Sequence, residues 1–185
     1  MAELIIGGAR SGKSALAEMR ARHSGLAVVY LATARTEDAE MARRVAHHRQ
    51  RRPVHWTCIE EPLQLADALR RHAAVDTCLV VDCLTLWLSN LFFAGRAAAQ
   101  AEAGECVDCP LLTGQITALL ASPPAVPGRL ILVSNEVGCG IVPMNPLARM
   151  FADELGRLNQ QVAAVCDRVT LTVAGLPLEL KSPAG

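Results

Sequence analysis

Lysine is almost absent from this chain. Only Lys13 and Lys181 occur, the other basic residues are arginines, and 18 basic residues face 18 acidic ones for a formal net charge of zero. A balanced chain is not built to coat nucleic acid or an anionic membrane, because such partners demand a basic surface. Any anion must therefore be held locally. Aromatic residues are also scarce: one tyrosine, two tryptophans and three phenylalanines are too few for a platform that stacks the bases of a single strand. There is no apolar run of spanning length. The longest uncharged stretch, between Asp108 and Arg129, is broken by Pro110, Pro123, Pro124 and Pro127, whereas a spanning helix needs about 20 apolar residues. The start, Met1-Ala2-Glu3, lacks the positive charge of a secretory signal, so a cytoplasmic location is expected. Cys106 and Cys109 form a lone C-x-x-C without the two further ligands that zinc requires. Of the seven cysteines, Cys58, Cys78, Cys83, Cys139 and Cys166 lie in or beside apolar segments, where a free thiol is expected to act as a small buried hydrophobe.

What is present suits one domain spanning residues 1–185, with 51% hydrophobic residues to fill a core. Leu4 to Ile6 is a short apolar strand that stops at two glycines, and Ser14 to Arg22 reads as a helix. Strand Leu26 to Ala32 and helix Glu37 to His48 repeat the pattern, with Asp38 and Glu40 in the first turn, where the helix dipole favours acids. A helix is expected after Pro62, a strand over Cys78 to Val81 ending at Asp82, and a helix over Leu84 to Phe93. Residues Gly95 to Gly114 look least constrained, and a further helix is expected over Leu111 to Leu120. Leu130 to Val133 is another buried strand. Asn145-Pro146 supplies an N-cap and a first-turn proline for a long helix, and Val169 to Val173 reads as the last clear strand. Strands that are apolar throughout and alternate with helices imply an α/β fold with a mainly parallel sheet and helices on both faces.

Gly7-Gly8-Ala9-Arg10-Ser11-Gly12-Lys13-Ser14 fits G-x-x-x-x-G-K-[ST] and lies between a strand and a helix. In this P-loop the glycines let the backbone curl until successive N–H groups and the helix N-terminus face phosphate oxygens. Lys13 is expected to reach the β and γ phosphates, and the Ser14 hydroxyl to ligate Mg²⁺. Asp82, at a strand end, falls where a second Mg²⁺ ligand is expected, although a solvated strand-end acid has the same sequence. Glu60 and Glu61 precede Pro62 and equally suit a helix start.

Residues 43–52 hold five arginines and two histidines with no acid. Such a run is either a solvated helix face or, beside a triphosphate, a second wall of forked donors. On a helical wheel Met41, Val45 and His48 share a stripe, whereas His47 points with Glu40, Arg43, Arg44 and Arg51. His48 therefore faces inward, as a core residue or as a nucleophile that must be held still.

The P-loop, Y-L-A-T-A at Tyr30 to Ala34, E-M-x-R-R-V-x-x-H-R-x-x-R-P from Glu40 to Pro53, and S-N-E-V-G-x-G-I-V-P from Ser134 to Pro143 resemble the bifunctional adenosylcobinamide kinase/adenosylcobinamide-phosphate guanylyltransferase family of cobalamin synthesis. The resemblance implies a P-loop NTPase with a RecA-like sheet and a homotrimer. It implies phosphorylation of a corrinoid hydroxyl from ATP or GTP, then transfer of GMP from GTP through a histidine. His48 matches the family's H-x-x-x-R-P spacing and His47 does not. The implied nucleotide site comprises Gly7 to Ser14, Ala32, Thr33, Ala34, Arg49, Gln50, Arg51, Arg52, Glu60 and Asp82, with Ser14 and Asp82 on Mg²⁺. One rival is another small-molecule kinase whose histidines are structural. The other is a nucleotide-dependent switch or strand-binding module. A GTPase switch normally reads guanine with N-K-x-D, and neither lysine follows an asparagine.

Overall fold

The computed structural model describes residues 1–35 and 53–183. The helix expected over Glu37 to His48, and with it the run of arginines and histidines, lies outside these residues. The described elements are β1 (Ala2–Gly7), α1 (Lys13–Arg22), β2 (Ala27–Ala32), β3 (Thr57–Glu60), α2 (Leu65–His72), β4 (Thr77–Asp82) and α3 (Leu84–Ala94). They continue with α4 (Ala97–Glu102), α5 (Pro110–Leu120), a 3₁₀ turn (Pro123–Ala125), β5 (Arg129–Asn135), α6 (Pro146–Val165), β6 (Arg168–Val173) and β7 (Leu176–Lys181). The strands form one seven-stranded sheet in the order β3-β2-β4-β5-β1-β6-β7, parallel except for the antiparallel β6–β7 hairpin.

The apolar strands are buried on both faces, and their alternate residues feed two cores. Leu4, Leu31, Leu79, Val81, Leu130 and Leu132 point to one side, where they meet Trp87, Leu88 and Leu91 of α3 and Leu155, Leu158 and Val162 of α6. Ile5, Val28, Tyr30, Val80, Ile131 and Val133 point to the other, against Leu16, Ala17 and Ala21 of α1. Asn145 caps α6 as its sequence predicts, its side-chain oxygen accepting the Ala148 N–H at 3.0 Å beside Pro146. No described helix is long and apolar enough to cross a membrane.

Three expectations need correction. Gly95 to Gly114 is structured: α4 buries Ala97, Ala98 and Ala101, and Cys109 is buried against Gly95. Alanine is the best helix former and small enough to pack backbone close to the core, a role that composition alone disguises as flexibility. Val169 to Val173 is not the last strand, because an Ala174-Gly175 turn with φ of 52° and 82° reverses the chain into β7. Cys58 and Cys139 are exposed, while Cys78, Cys83 and Cys166 are buried as expected. β3, four residues long and largely exposed, was also not anticipated.

An ionic contact fastens α1 to the sheet. Glu3 of β1 is fully buried and pairs with Arg20 of α1 and, at 3.4 Å, with Arg129 of β5, while the Thr170 hydroxyl donates to it at 3.2 Å. Removing one partner of a buried pair strands the other charges and costs about 3 kcal/mol. Glu3→Ala is therefore expected to lower the urea midpoint by that equivalent; an unchanged midpoint would show that the arginines are adequately solvated alone.

Candidate nucleotide-phosphate site

β1 ends at Gly7, where a Cβ would meet the Thr172 carbonyl oxygen at 2.4 Å and Ser11 Oγ at 2.7 Å. No larger residue fits there. The loop then passes through Arg10, with φ of 56°, and Gly12, with φ of 101°, both in the left-handed region. A Cβ on Gly12 would also sit 3.1 Å from Gly175 Cα. The β6–β7 turn braces the loop directly, as the Gly175 N–H donates to the Ser11 carbonyl at 2.8 Å. α1 starts at Lys13 with no side-chain cap on its N-terminus. Its first N–H groups and its dipole therefore face the loop's concavity, an arrangement that favours phosphate.

Lys13 is buried, and its ammonium donates to the Gly8 carbonyl at 2.7 Å, so it folds back over the loop. Burial lowers its pKa, partly opposed by Cys83 and Asp82. A phosphate oxygen is a stronger acceptor for this ammonium than a neutral carbonyl. Asp82 closes β4, and its carboxylate Oδ2 accepts the Tyr30 hydroxyl at 2.5 Å. β5 lies between β4 and β1, and the Glu136 N–H just beyond it donates to the Gly7 carbonyl at 2.9 Å.

The parallel register gathers the expected residues at one edge. Asp82 lies opposite Ala32, and Ala32 opposite Glu60, all at carboxyl ends of strands, as is Gly7. Gly7 to Ser14, Ala32 to Ala34, Glu60 and Asp82 thus share the same end of the sheet. His48, Arg49, Gln50, Arg51 and Arg52 lie outside the described residues. The acidic pair divides its labour: Glu61 Oε1 accepts the Leu63 and Gln64 N–H groups at 3.1 and 2.7 Å and starts α2, whereas Glu60 is exposed at the strand end.

Thr33 has a structural duty that its place in the motif does not disclose. It is fully buried; its hydroxyl donates to the Cys83 carbonyl at 2.7 Å, and the same oxygen accepts the Cys83 N–H at 2.8 Å. Asn90 Nδ2 donates to the Thr33 carbonyl at 2.8 Å. These bonds lock the end of β2 to the residue after Asp82. Sequence reasoning also missed Tyr30, the sole tyrosine, whose helix-facing position in β2 aims its hydroxyl at Asp82.

A strand inserted between the P-loop strand and the aspartate strand gives a P-loop NTPase of RecA-like type. The solved structures agree. The assembled ATPase EscN of the enteropathogenic E. coli type III secretion system superposes with a TM-score of 0.59 at 16% identity, over 94% of this chain and 43% of that one. A prototypical ATPase from the type III secretion system of pathogenic bacteria gives 0.55 at 17% identity, over 96% and 56%. The chain thus spans about half the length of these neighbours, and the likeness concerns the fold alone. Closer similarity comes from sequence. The bifunctional adenosylcobalamin biosynthesis protein CobP of Pseudomonas aeruginosa is 54% identical over 181 residues, covering 98% of both chains. The protein CobU of Salmonella typhimurium is 38% identical over 179 residues, covering 96% of this chain and 98% of its own. Residues 3–180, from the first described strand to the last, match one family model, and the chain belongs to the cobinamide kinase / cobinamide phosphate guanyltransferase family.

Proposed function

We propose that the chain, as one catalytic domain over residues 1–185, phosphorylates the aminopropanol hydroxyl of adenosylcobinamide with ATP or GTP and then converts the phosphate to adenosylcobinamide-GDP. The observation that carries this reading is the family match over residues 3–180. The P-loop supplies the physical means for the first step. Lys13 and the α1 N-terminus offset charge on the transferred phosphoryl group, and the fixed loop holds it in line with the attacking hydroxyl. Ser14 and Asp82 would hold Mg²⁺, which would offset negative charge on the phosphates. One hydroxyl and one carboxylate suit a hard ion that takes its other ligands from phosphate and water.

For the second step we assign His48 as the nucleophile. Its neutral imidazole nitrogen attacks the α-phosphorus of GTP; the P–N bond forms as the P–O bond to pyrophosphate breaks. A phosphate oxygen of adenosylcobinamide phosphate then attacks that phosphorus, the P–N bond breaks, and the histidine is regenerated. Arg49, Arg51 and Arg52 favour the neutral imidazole and offset charge on the group in transfer; Gln50 and Glu60 complete the nucleotide contacts. We also assign the reaction to the cytoplasm, where its nucleotide substrates are supplied. Incubation with adenosylcobinamide and labelled GTP, with the phosphate and GDP products resolved, tests the whole scheme. Failure to form the phosphate would sink the kinase half, and a phosphate that accumulates without the GDP product would sink the transferase half.

We also assign a homotrimer. Leu176 and Leu178 of β7 are 72% and 56% exposed, and Ile141 and Met144 are 97% and 91% exposed, so among the described residues the chain leaves apolar surface on its edge strand and on a loop. Light scattering should give three times the 19.7 kDa chain mass, and Leu178→Asp should reduce it. A monomer at micromolar concentration would refute the assembly.

A further inference from the structure

On the sheet face opposite α1, a groove of about 870 Å³ runs between α6 and strands β1, β6 and β7. Its floor is apolar, formed by Leu4, Ile6 and Val169. Its helical wall is opened by Gly156. Glycine in the middle of a helix is destabilising relative to alanine, yet a Cβ built on Gly156 meets nothing within 4 Å among the described residues. No neighbour therefore demands glycine here, and what its absence of a side chain leaves is open space.

One polar atom in this wall is unsatisfied. Asn159 is 7% exposed and lines the groove; its Nδ2 donates to the Asn135 carbonyl at 3.0 Å, while its buried Oδ1 has no hydrogen-bond partner among the described residues. A buried acceptor left without a donor is destabilising, so this atom would gain from an N–H or O–H group brought to the groove. It also lies beside the phosphate loop. Ile6 immediately precedes Gly7, and Glu136, another lining residue, holds the Gly7 carbonyl through its N–H.

We propose that this groove is the corrinoid subsite, an inference that rests on the reading under Proposed function. A corrinoid is a broad apolar macrocycle whose rim carries neutral primary carboxamides. The macrocycle edge lies on the Leu4, Ile6 and Val169 floor, and a rim carboxamide N–H satisfies Asn159 Oδ1. The substrate is thereby oriented with its hydroxyl arm toward the phosphate loop. A volume of this size is ample for an arc of the ring with its amide arms.

Equilibrium dialysis of adenosylcobinamide, without nucleotide, against the wild type, Gly156→Ala and Gly156→Leu tests the assignment. Gly156→Leu should weaken binding roughly tenfold or more and leave GTP binding unchanged, while Gly156→Ala should bind normally and unfold at higher temperature. A second readout needs no substitution. Cys139 lines the groove and is exposed, so saturating adenosylcobinamide should slow its alkylation relative to the exposed Cys106. Undiminished affinity in Gly156→Leu, or a Cys139 that reacts equally fast with and without corrinoid, would overturn the groove assignment alone. No binding by the wild type would overturn the proposed function and this inference together.

Discussion

Lys13→Met is expected to slow phosphoryl transfer to adenosylcobinamide by roughly 10² to 10³-fold, the usual loss when one fixed charge or donor at the transition state is removed. The same substitution should leave the protein as stable or more so. Lys13 is 8% exposed, and burial holds its pKa below the usual 10.5. A depressed lysine pKa means that the folded state disfavours the charged form. The cost is full below the folded-state pKa and lifts as pH rises toward 10.5. Removing the ammonium relieves it, with a reduced gain because Asp82 and Cys83 draw the charge back. A single-turnover assay paired with a thermal melt separates the two effects. If activity and stability fell together, Lys13 would be a fastening of the loop through Gly8, and its catalytic role would have to be withdrawn.

The second large effect concerns His48. His48→Ala is expected to abolish protein labelling by α-labelled GTP and to reduce formation of adenosylcobinamide-GDP by roughly 10⁴-fold or more, as loss of a covalent nucleophile does. Phosphorylation of adenosylcobinamide should survive, because the proposed phosphoryl-transfer site is built from Lys13, Ser14 and Asp82 and not from His48. The label on the wild type should be acid-labile and base-stable, the signature of a phosphoramidate. His47→Ala is the informative contrast. It should label normally, and a loss of label there with retention in His48→Ala would exchange the two assignments.

Legibility from sequence followed the range of the forces involved. The P-loop was readable because a tight turn onto a helix N-terminus needs its glycines, lysine and serine within eight consecutive positions. Asp82 was readable because it ends a run, Thr77 to Val81, that is buried throughout. β7 was not, since Leu176 to Lys181 is wholly exposed and contains Pro177, a composition suited to an edge strand and equally to a tail. α4 eluded the reading because its alanines carry no periodicity that distinguishes a buried face. Thr33 and Asn159 show the deeper limit. Each is a polar residue whose role is set by a partner in another element, Cys83 in one case and Asn135 in the other, and local sequence does not encode that meeting.

The brace between Gly175 and Ser11 has a consequence for how the protein comes into being on the ribosome. β1 is synthesised before the other described strands, yet its neighbours are β5 and β6, so both of its edges wait for residues 129–173 to emerge. The loop that follows it is held against Thr172 and Gly175. Pairings this distant in sequence form slowly, and an unpaired apolar strand is open to wrong partners meanwhile. The nascent chain therefore carries its phosphate-binding motif well before it has a phosphate-binding loop, and a chain cut short before Gly175 would keep the motif intact and leave the loop unbraced.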